Sequence, residues 1–206
     1  MENTFYKDSI VVLEGAVCEL TSRIDIMRRY RIAQGYRDPI AYVTSRVKSE
    51  ESMKEKLKRK GIEVTLENAL ERINDGVGVR IICSYIDDIY VIVELIKKYS
   101  GIKILNEKDY IKNPKQNGYR SYHINLEMDL DIIGEIHKVR CEIQIRTIAM
   151  DCWASLEHEP KYKKNIENQK YEIVAKKDAV IKKIEASAGE KKENINEYVK
   201  KEDTII

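Results

Sequence analysis

The clearest alternation of apolar and polar positions in the chain runs from Val139 to Thr147. A period of two is typical of a β-strand, because successive side chains point to opposite faces of the sheet. The apolar face comprises Val139, Cys141, Ile143 and Ile145, and the polar face comprises Arg140, Glu142, Gln144 and Arg146. The pattern alone leaves two interpretations open: an antiparallel strand with a solvated outer face, or a strand that presents chemical groups to a site.

Apolar spacing and turn residues predict the other elements. An amphipathic helix is predicted from about Phe5 to Tyr30, ending before Gly35. Further helices are predicted from Ser49, as the cap, to Lys60, from Leu66 to Ile73, from Asp87 to before Gly101, and from Ile148 to Glu159. Further strands are predicted at Ile40–Lys48, Val77–Ser84, Lys103–Leu105 and Tyr119–Glu127. Strands that alternate irregularly with helices predict an α+β domain with a mixed or antiparallel sheet.

The length of 206 residues suits one domain of ordinary size with appended helices. We expect an N-terminal helical segment at 1–38, a core at 39–160, and a C-terminal helical segment with a charged tail at 161–206. In the last segment Val174, Ile181 and Ile184 recur at helical spacing.

The charge balance excludes a global electrostatic argument for a nucleic-acid or membrane partner, since 37 Lys and Arg nearly cancel 35 Asp and Glu. Any basic site must therefore be local. No stretch approaches the roughly 20 apolar residues that span a bilayer, and the N-terminus lacks the pattern of a secretory signal. The four cysteines show no C-x-x-C spacing, which favours reduced thiols and a cytoplasmic protein.

One such local site is predicted between Arg37 and Lys60, where eight basic residues accompany four acidic ones. Ordinary i,i+4 ion pairs on a solvated helix explain part of this excess. They do not explain Arg46 and Lys48, which share one strand face and are continued on the helix by a stripe of Ser52, Lys56 and Arg59. Such a row of cations can bind a triphosphate.

Two further segments carry candidate chemistry. In Asp75-Gly76-Val77-Gly78-Val79-Arg80 a carboxylate precedes a strand, and Mg²⁺ in phosphoryl-transfer sites is held by one or two carboxylates plus substrate phosphates. Asp75 and Glu142 are the candidates, although a lone Asp beside glycine is also a common turn residue. In Gly118-Tyr119-Arg120-Ser121-Tyr122-His123 the spacing places Tyr119, Ser121 and His123 on one strand face, which is also compatible with an ordinary strand.

Together, the segments Asp75–Ile81, Gly118–His123 and Val139–Thr147 resemble the synthetase domain of the RelA/SpoT family, most closely the small single-domain alarmone synthetases. The similarity runs from about Pro39 to His158. It implies a nucleotidyltransferase-like fold and a GTP/GDP 3'-pyrophosphokinase, a transferase that moves the β,γ-pyrophosphate of ATP to the 3'-hydroxyl of GDP or GTP, or of GMP. The products are AMP and a (p)ppGpp-type alarmone of the stringent response. No hydrolase domain of the family fits this length, so synthesis without hydrolysis is expected.

The resemblance also implies residue roles. Glu142 and Asp75 are expected to hold Mg²⁺, with Glu142 also deprotonating the attacking hydroxyl. ATP is expected to bind at Arg46, Lys48, Ser52, Lys56, Arg59 and Arg80. The guanosine nucleotide is expected at Lys115, Tyr119, His123 and Gln144, with its base stacked on Tyr119. Two departures from the family pattern stand out: the usual D-I-A-G-x-R reads Asp75-Gly76-Val77-Gly78-Val79-Arg80, and Asp151 stands where some members carry Asn.

Assembly and feedback are also implied by the resemblance, because relatives form tetramers and some bind alarmone in a central cleft. Tyr42 keeps the aromatic residue of that cleft, whereas Thr21 and Asp25 stand where lysines are expected. Arg28 and Arg29 lie one turn further on and offer replacement cations. We therefore expect a homotetramer that its own product activates weakly or not at all.

Two alternatives from other functional classes were weighed. One is a catalytically inactive nucleotide-binding regulator, and the other is a single-stranded RNA-binding module that uses Tyr119 and the basic stripe. Retention of both Asp75 and Glu142 argues against each. RNA binding in addition to catalysis is left open.

Overall fold

The computed structural model describes residues 5–158, and within this range the chain forms five helices and five strands. In chain order they are α1 (Ser9–Ala33), β1 (Ile40–Val47), α2 (Glu50–Arg59), α3 (Leu66–Arg72), β2 (Val77–Cys83), α4 (Ile86–Ile96), β3 (Ile102–Asp109), β4 (Tyr122–Ile132), β5 (Glu135–Thr147) and α5 (Ile148–His158). The predicted α+β class is confirmed. The helices predicted beyond residue 160 lie outside the described residues.

The strands form one mixed sheet in the order β1-β2-β5-β4-β3. Strand β5 lies at its centre, parallel to β2 and antiparallel to β4. This register places Gly78 opposite Glu142, and Gln144 between Arg80 on one side and His123 on the other. Residues far apart in sequence therefore meet on one face of the sheet.

The other face of the sheet carries the hydrophobic core. Val139, Cys141, Ile143 and Ile145 are all buried, as their spacing predicted. Helix α1 contributes Leu13, Ala16, Leu20 and Ile24 to this core, and α4 contributes Ile89, Ile92, Val93 and Ile96. Burial of an aliphatic side chain of this size contributes roughly 1.5–3 kcal/mol, so the apolar stripe of α1 fixes this helix to the sheet.

The predicted start of α2 is confirmed, because the Ser49 hydroxyl accepts a hydrogen bond from the amide of Ser52 at 3.4 Å. Glu50 and Glu51 lie in the first turn, where the positive end of the helix dipole favours anions. The cap orients the helix whose later turns carry Lys56 and Arg59.

Several boundaries differ from the prediction by a few residues, and two of these differences shape the loop before β4. Strand β3 extends to Asp109, where the carboxylate accepts hydrogen bonds from the amides of Ile111 and Lys112 and turns the chain. Strand β4 begins at Tyr122 rather than at Tyr119, because Gly118 has a φ of +81° and closes a turn by donating its amide to the Lys115 carbonyl at 2.8 Å. Tyr119 therefore lies on a loop.

The thiols of Cys83 and Cys141 are buried in the core, and burial raises the pKa of each to about 12. These two cysteines are thus packed as small apolar residues, as the apolar face of the Val139–Thr147 strand predicted for Cys141. Among residues 5–158, the helices are either too short or too polar to cross a lipid bilayer.

Candidate active site

A cleft of about 260 Å³ opens on the polar face of the sheet, over strands β1, β2 and β5. Its lining combines three cations with two carboxylates: Arg46, Lys48, Arg80, Asp75 and Glu142. Gly78 forms part of the floor, since the register places it between Arg46 of β1 and Glu142 of β5. This combination of charges is suited to an anionic substrate that carries its own metal ion.

Asp75 lies in the turn that enters β2, and the Lys48 amide donates to the Gly76 carbonyl at 2.8 Å, which fastens this turn to the end of β1. The Asp75 Oδ2 lies 3.1 Å from the Lys48 Nζ and 2.7 Å from the Lys56 Nζ. Its Oδ1 is buried and has no hydrogen-bond partner among the described residues. One oxygen thus faces two cations, while the other, which has no hydrogen-bond partner among the described residues, is the candidate metal ligand.

Glu142 projects from the centre of β5 into the same cleft. Its Oε1 lies 3.1 Å from the His123 Nδ1, and its Oε2 accepts a hydrogen bond from the Gln144 amide at 2.7 Å. Burial acts to raise the pKa of this carboxyl, but the hydrogen bonds from His123 and Gln144 and the charge of Lys56 outweigh it and lower the pKa to about 2. Glu142 is therefore an anion at every physiological pH.

The residues predicted for the acceptor nucleotide cluster next to Glu142. The Tyr119 hydroxyl lies 2.8 Å from the His123 Nε2, and the Lys115 Nζ lies 4.7 Å from the centre of the Tyr119 ring. Tyr110, which the sequence did not single out, contacts both rings edge-on, with centroid distances of 5.9 Å to Tyr119 and 5.3 Å to His123. The aromatic cluster and its lysine form a platform that a purine can stack on.

The residues predicted for ATP lie on β1, α2 and β2. Arg46 is exposed at the rim of the cleft, Lys48 and Arg80 line it, and Lys56 reaches it through Asp75. Ser52 lies at the start of α2, with its hydroxyl 3.0 Å from that of Ser49, and Arg59 is exposed at the end of the helix. The structure therefore brings Arg46, Lys48, Lys56 and Arg80 together, and leaves Ser52 and Arg59 outside the residues that line the cleft.

Arg146 differs from the solvated side chain that one interpretation of the β5 pattern expected, because it is only 5% exposed. Its guanidinium donates to the Tyr119 hydroxyl at 2.6 Å and to the Gln144 Oε1 at 2.8 Å, and it also contacts Asp151 at 3.1 Å. Strand parity placed Arg146 on the correct face. Arg146 is buried because Tyr119, on the loop before β4, and Asp151, on α5, lie against it. The alternation of residues along β5 does not predict these contacts, because they come from other parts of the chain.

A mixed sheet that presents two carboxylates among several cations, beside an aromatic platform, is an arrangement typical of nucleotide-dependent transferases of the phosphoryl-transfer class. Comparison with known proteins specifies the family. Residues 45–167 match the model of the region found in RelA/SpoT proteins. The chain belongs to the RelA/SpoT family.

Individual relatives agree with this assignment. The chain is 46% identical over 161 residues to the GTP pyrophosphokinase YwaC of Bacillus subtilis, covering 78% of this chain and 76% of that protein. It is 34% identical over 163 residues to the GTP pyrophosphokinase YjbM of the same organism, covering 79% and 76%. The structure superposes on small alarmone synthetase 1 of Bacillus subtilis bound to its product pppGpp with a TM-score of 0.82 at 30% identity, covering 93% and 98% of the two chains.

Proposed function

We propose that this protein is a GTP/GDP 3'-pyrophosphokinase whose reaction takes place in the cleft between Asp75 and Glu142. Membership of the RelA/SpoT family and 46% identity to a GTP pyrophosphokinase support (p)ppGpp synthesis from ATP and GTP or GDP. The observation that carries the assignment of the site is the convergence of two carboxylates and three cations on one face of the sheet. In the reaction the 3'-oxygen of the guanosine nucleotide bonds to the β-phosphorus of ATP while the bond from that phosphorus to the α-phosphate oxygen breaks, which releases AMP.

The donor side of the cleft supplies cations for the phosphates of ATP. In this proposal Arg46, Lys48, Lys56 and Arg80, which lie at or next to the cleft, contact the triphosphate, and Ser52 and Arg59 on α2 complete the ATP site from outside the cleft lining. Lys48 and Lys56 lie against Oδ2 of Asp75, where both ammonium groups would be within reach of the phosphates of an ATP bound in the cleft. These contacts fix the β-phosphorus in line with its attacker, which is the main catalytic contribution of such sites.

The acceptor side binds the guanosine nucleotide through the platform next to Glu142. Tyr119 stacks on the guanine, Lys115 contacts a phosphate, and Gln144 lies next to the ribose and base. His123 also faces the acceptor phosphates, and its hydrogen bond holds Glu142 in place until the nucleotide arrives. A base stacked on an aromatic side chain contributes about 1–3 kcal/mol to binding.

Mg²⁺ is the cofactor that this donor set fits, because a hard cation that keeps several waters needs only one or two protein carboxylates. The buried Oδ1 of Asp75, which lacks a hydrogen-bond partner in the described part of the chain, and the anionic Glu142 are the expected ligands. When bound, the ion neutralises the charge that develops on the transferred pyrophosphate. Glu142 also faces the 3'-hydroxyl and takes its proton as the oxygen attacks; because the pKa of this carboxyl is about 2, the proton passes on to solvent and Glu142 returns to its anionic form.

We further propose that the protein acts in the cytoplasm as a homotetramer. The cytoplasmic assignment rests on the four cysteines, which the structure places as free thiols. The exposed side of α1 carries apolar residues, among them Val11, Ile26 and Tyr30, that a second copy would cover.

The purified protein incubated with ATP, Mg²⁺ and GDP or GTP is expected to yield AMP and a 3'-pyrophosphorylated nucleotide in equal amounts. The Glu142→Gln variant is the matched control: it keeps the shape of the side chain but loses its charge, and it should retain ATP binding while turnover falls by several orders of magnitude. Release of ADP instead of AMP, or near-wild-type turnover of the variant, would contradict the proposed reaction or the role of Glu142, respectively.

A further inference from the structure

Phe5 and Tyr6 precede α1 and lie against the junction between β1 and α2, and we call these two residues the N-terminal clamp. The Phe5 amide donates to the Glu50 Oε1 at 2.9 Å, and the Tyr6 hydroxyl donates to the Lys48 carbonyl at 2.8 Å. The Lys54 Nζ lies 5.1 Å from the centre of the Phe5 ring. The clamp therefore joins the segment before α1 to the start of the basic helix α2.

Lys48 is the residue of the donor pocket that the clamp contacts. It lies between the end of β1 and the start of α2, so its backbone is held by contacts from other segments. Its amide donates to the Gly76 carbonyl at 2.8 Å, and its carbonyl accepts the Tyr6 hydroxyl. Both polar groups of its backbone are thus fixed, and its ammonium group lies 3.1 Å from the Asp75 Oδ2 in the cleft.

The ring and the hydroxyl of Tyr6 have different surroundings. The residue is only 2% exposed, and its ring belongs to the same hydrophobic core as Leu13 and Met53. Burial, followed by the charges of Glu50 and Asp75, raises the pKa of the hydroxyl to about 12, so it remains a hydrogen-bond donor at neutral pH. The hydroxyl is therefore the part of Tyr6 that acts on the donor pocket.

The turn that carries the clamp has an unfavourable backbone conformation. Lys7 has a φ of +47°, in the left-handed region that residues other than glycine rarely adopt. The Ser9 amide closes the turn by donating to the Tyr6 carbonyl at 3.0 Å. Such a conformation persists only where surrounding contacts fix it, and the hydrogen bonds of Phe5 and Tyr6 to the β1–α2 junction are contacts of this kind.

We propose that Tyr6 is a positioning residue of the donor pocket, whose hydroxyl fixes the backbone of Lys48 and thereby places the Lys48 ammonium group for the phosphates of ATP. This proposal rests on the donor pocket assigned above. Tyr6 is not among the residues that line the cleft, so it acts through Lys48 and not on the nucleotide itself. The acceptor platform is built on the loop before β4 and on β5, so the guanosine nucleotide should bind independently of Tyr6.

The test is steady-state kinetics of the Tyr6→Phe variant, with each nucleotide varied at a saturating concentration of the other. Phenylalanine keeps the buried ring and removes only the hydrogen bond to Lys48. Because one hydrogen bond of ordinary strength changes an equilibrium severalfold, we expect the KM for ATP to rise at least about threefold, while the KM for GDP changes by less than about twofold. An unchanged KM for ATP, or equal rises for both nucleotides, would overturn the proposal.

Tyr99→Phe is the matched control. The Tyr99 hydroxyl also donates to a backbone carbonyl, that of Arg23 on α1, and burial also raises its pKa, but neither residue lines the cleft. Both variants should lower the thermal midpoint, whereas only Tyr6→Phe should raise the KM for ATP. A comparable rise in Tyr99→Phe would show that lost stability is the cause, and would overturn the positioning role.

A double-mutant cycle tests whether Tyr6 acts through Lys48. The dissociation constant for ATP is measured by calorimetry without acceptor, so the readout does not require turnover, for wild type, Tyr6→Phe, Lys48→Ala and the double variant. We expect Tyr6→Phe to weaken ATP binding in the wild-type background and to have little further effect in Lys48→Ala. Effects that multiply in full would overturn this route. Wild-type protein that binds ATP but forms no AMP with GDP would instead contradict the proposed function, so the two failures are distinguishable.

Discussion

Glu142 is the residue whose chemistry depends most on its neighbours. A glutamate with an ordinary pKa at this position would be partly protonated in mild acid. The contacts with His123 and Gln144 keep the Glu142 carboxylate ionised. This environment stabilises an anion in a half-buried cleft before any metal arrives, which is a form of electrostatic preorganisation. It also couples the ionisation of Glu142 to the stability of the fold.

The stability contributed by Glu142 should depend on pH in a defined window. Its pKa is lowered to about 2 in the folded protein from an ordinary value of 4.5, so the unfolded chain binds the proton first as pH falls. The contribution is complete above about pH 5 and is progressively lost from about pH 4.5 towards pH 2. In urea titrations, the difference in unfolding free energy between wild type and Glu142→Gln should stay constant from pH 7 to about pH 5 and shrink below it.

Glu135→Gln is the control for this titration, because Glu135 is the first residue of β5 and its side chain is 83% exposed. Its unfolding free energy should follow that of wild type at every pH. If the difference in unfolding free energy between wild type and Glu142→Gln stays the same down to pH 3, the folded protein does not hold the Glu142 carboxyl in its charged form.

Two substitutions of Tyr119 separate the contribution of its aromatic ring to acceptor binding from that of its hydroxyl. Tyr119→Ala removes the platform and should raise the KM for GDP or GTP by about 5- to 150-fold, the range that corresponds to a stacking energy of roughly 1–3 kcal/mol. The KM for ATP should change by less than about twofold. Tyr119→Phe keeps the ring and loses only the contacts with Arg146 and His123, so its effect on the acceptor should be smaller. A larger rise in the KM for ATP than for the acceptor would show that the pockets are assigned in reverse.

At the scale of the element, strands whose two faces differ were predictable, whereas the bounds of the loop between β3 and β4 were not. The alternation along β5 identified its buried and polar faces, and serine capping located the start of α2, because both signals are local. Tyr119 was placed on a strand because tyrosine favours strands, but the turn at Gly118 overrides that preference. The contacts of Asp151 with β1, β2 and β5 depend on sheet order, which is a property of tertiary structure.

Substitution of Gly78 on β2 tests whether glycine is needed at this position for folding or for ligand binding. Its backbone does not require glycine, and a Cβ at this position would lie 3.9 Å from the Arg46 carbonyl oxygen, which is ordinary contact. The added methyl group would enter the cleft floor between Arg46 and Glu142. Gly78→Ala should therefore change the unfolding free energy by less than about 1 kcal/mol while raising the KM for ATP severalfold.

Gly134→Ala is the opposite control for Gly78→Ala. Gly134 has a φ of +84° in the β4–β5 turn and lies outside the cleft lining, so alanine there should cost about 1–2 kcal/mol of stability and leave the KM for ATP unchanged. Thermal melts and ATP-dependent rates of the two variants check both statements. A Gly78→Ala variant with wild-type KM would show that ATP does not approach this strand.

At the scale of the whole molecule, the family and the fold class were predictable because three separated segments carry the chemistry in order. The predicted family is confirmed by the match over residues 45–167, and the predicted fold by the mixed sheet. Assembly and feedback depend on how copies of the chain meet. These expectations come from the family resemblance, because the sequence of one chain does not show which surfaces of two copies contact each other.

The surroundings of Thr21 and Asp25 sharpen the expectation of weak product activation. The Thr21 hydroxyl donates to the Val17 carbonyl within α1 at 2.8 Å, and Asp25 faces Arg29 across 3.7 Å. Arg28, the other candidate replacement cation, donates to the Asp38 carboxylate at 2.6 Å. Both arginines are thus paired with carboxylates that a highly negative ligand would have to displace, which adds to the repulsion from Asp25.

We therefore predict a homotetramer in light scattering whose initial rate changes by less than about twofold when its own product is added, because each missing charge-assisted contact is worth roughly 1.5–3 kcal/mol. The Thr21→Lys/Asp25→Lys double variant should gain severalfold activation by the product. Glu71→Lys, which adds a cation at an exposed position of α3, should not. Severalfold activation of the wild-type protein would show that Arg28, Arg29 or another group has replaced the lysines, since no cation would then be missing from the cleft.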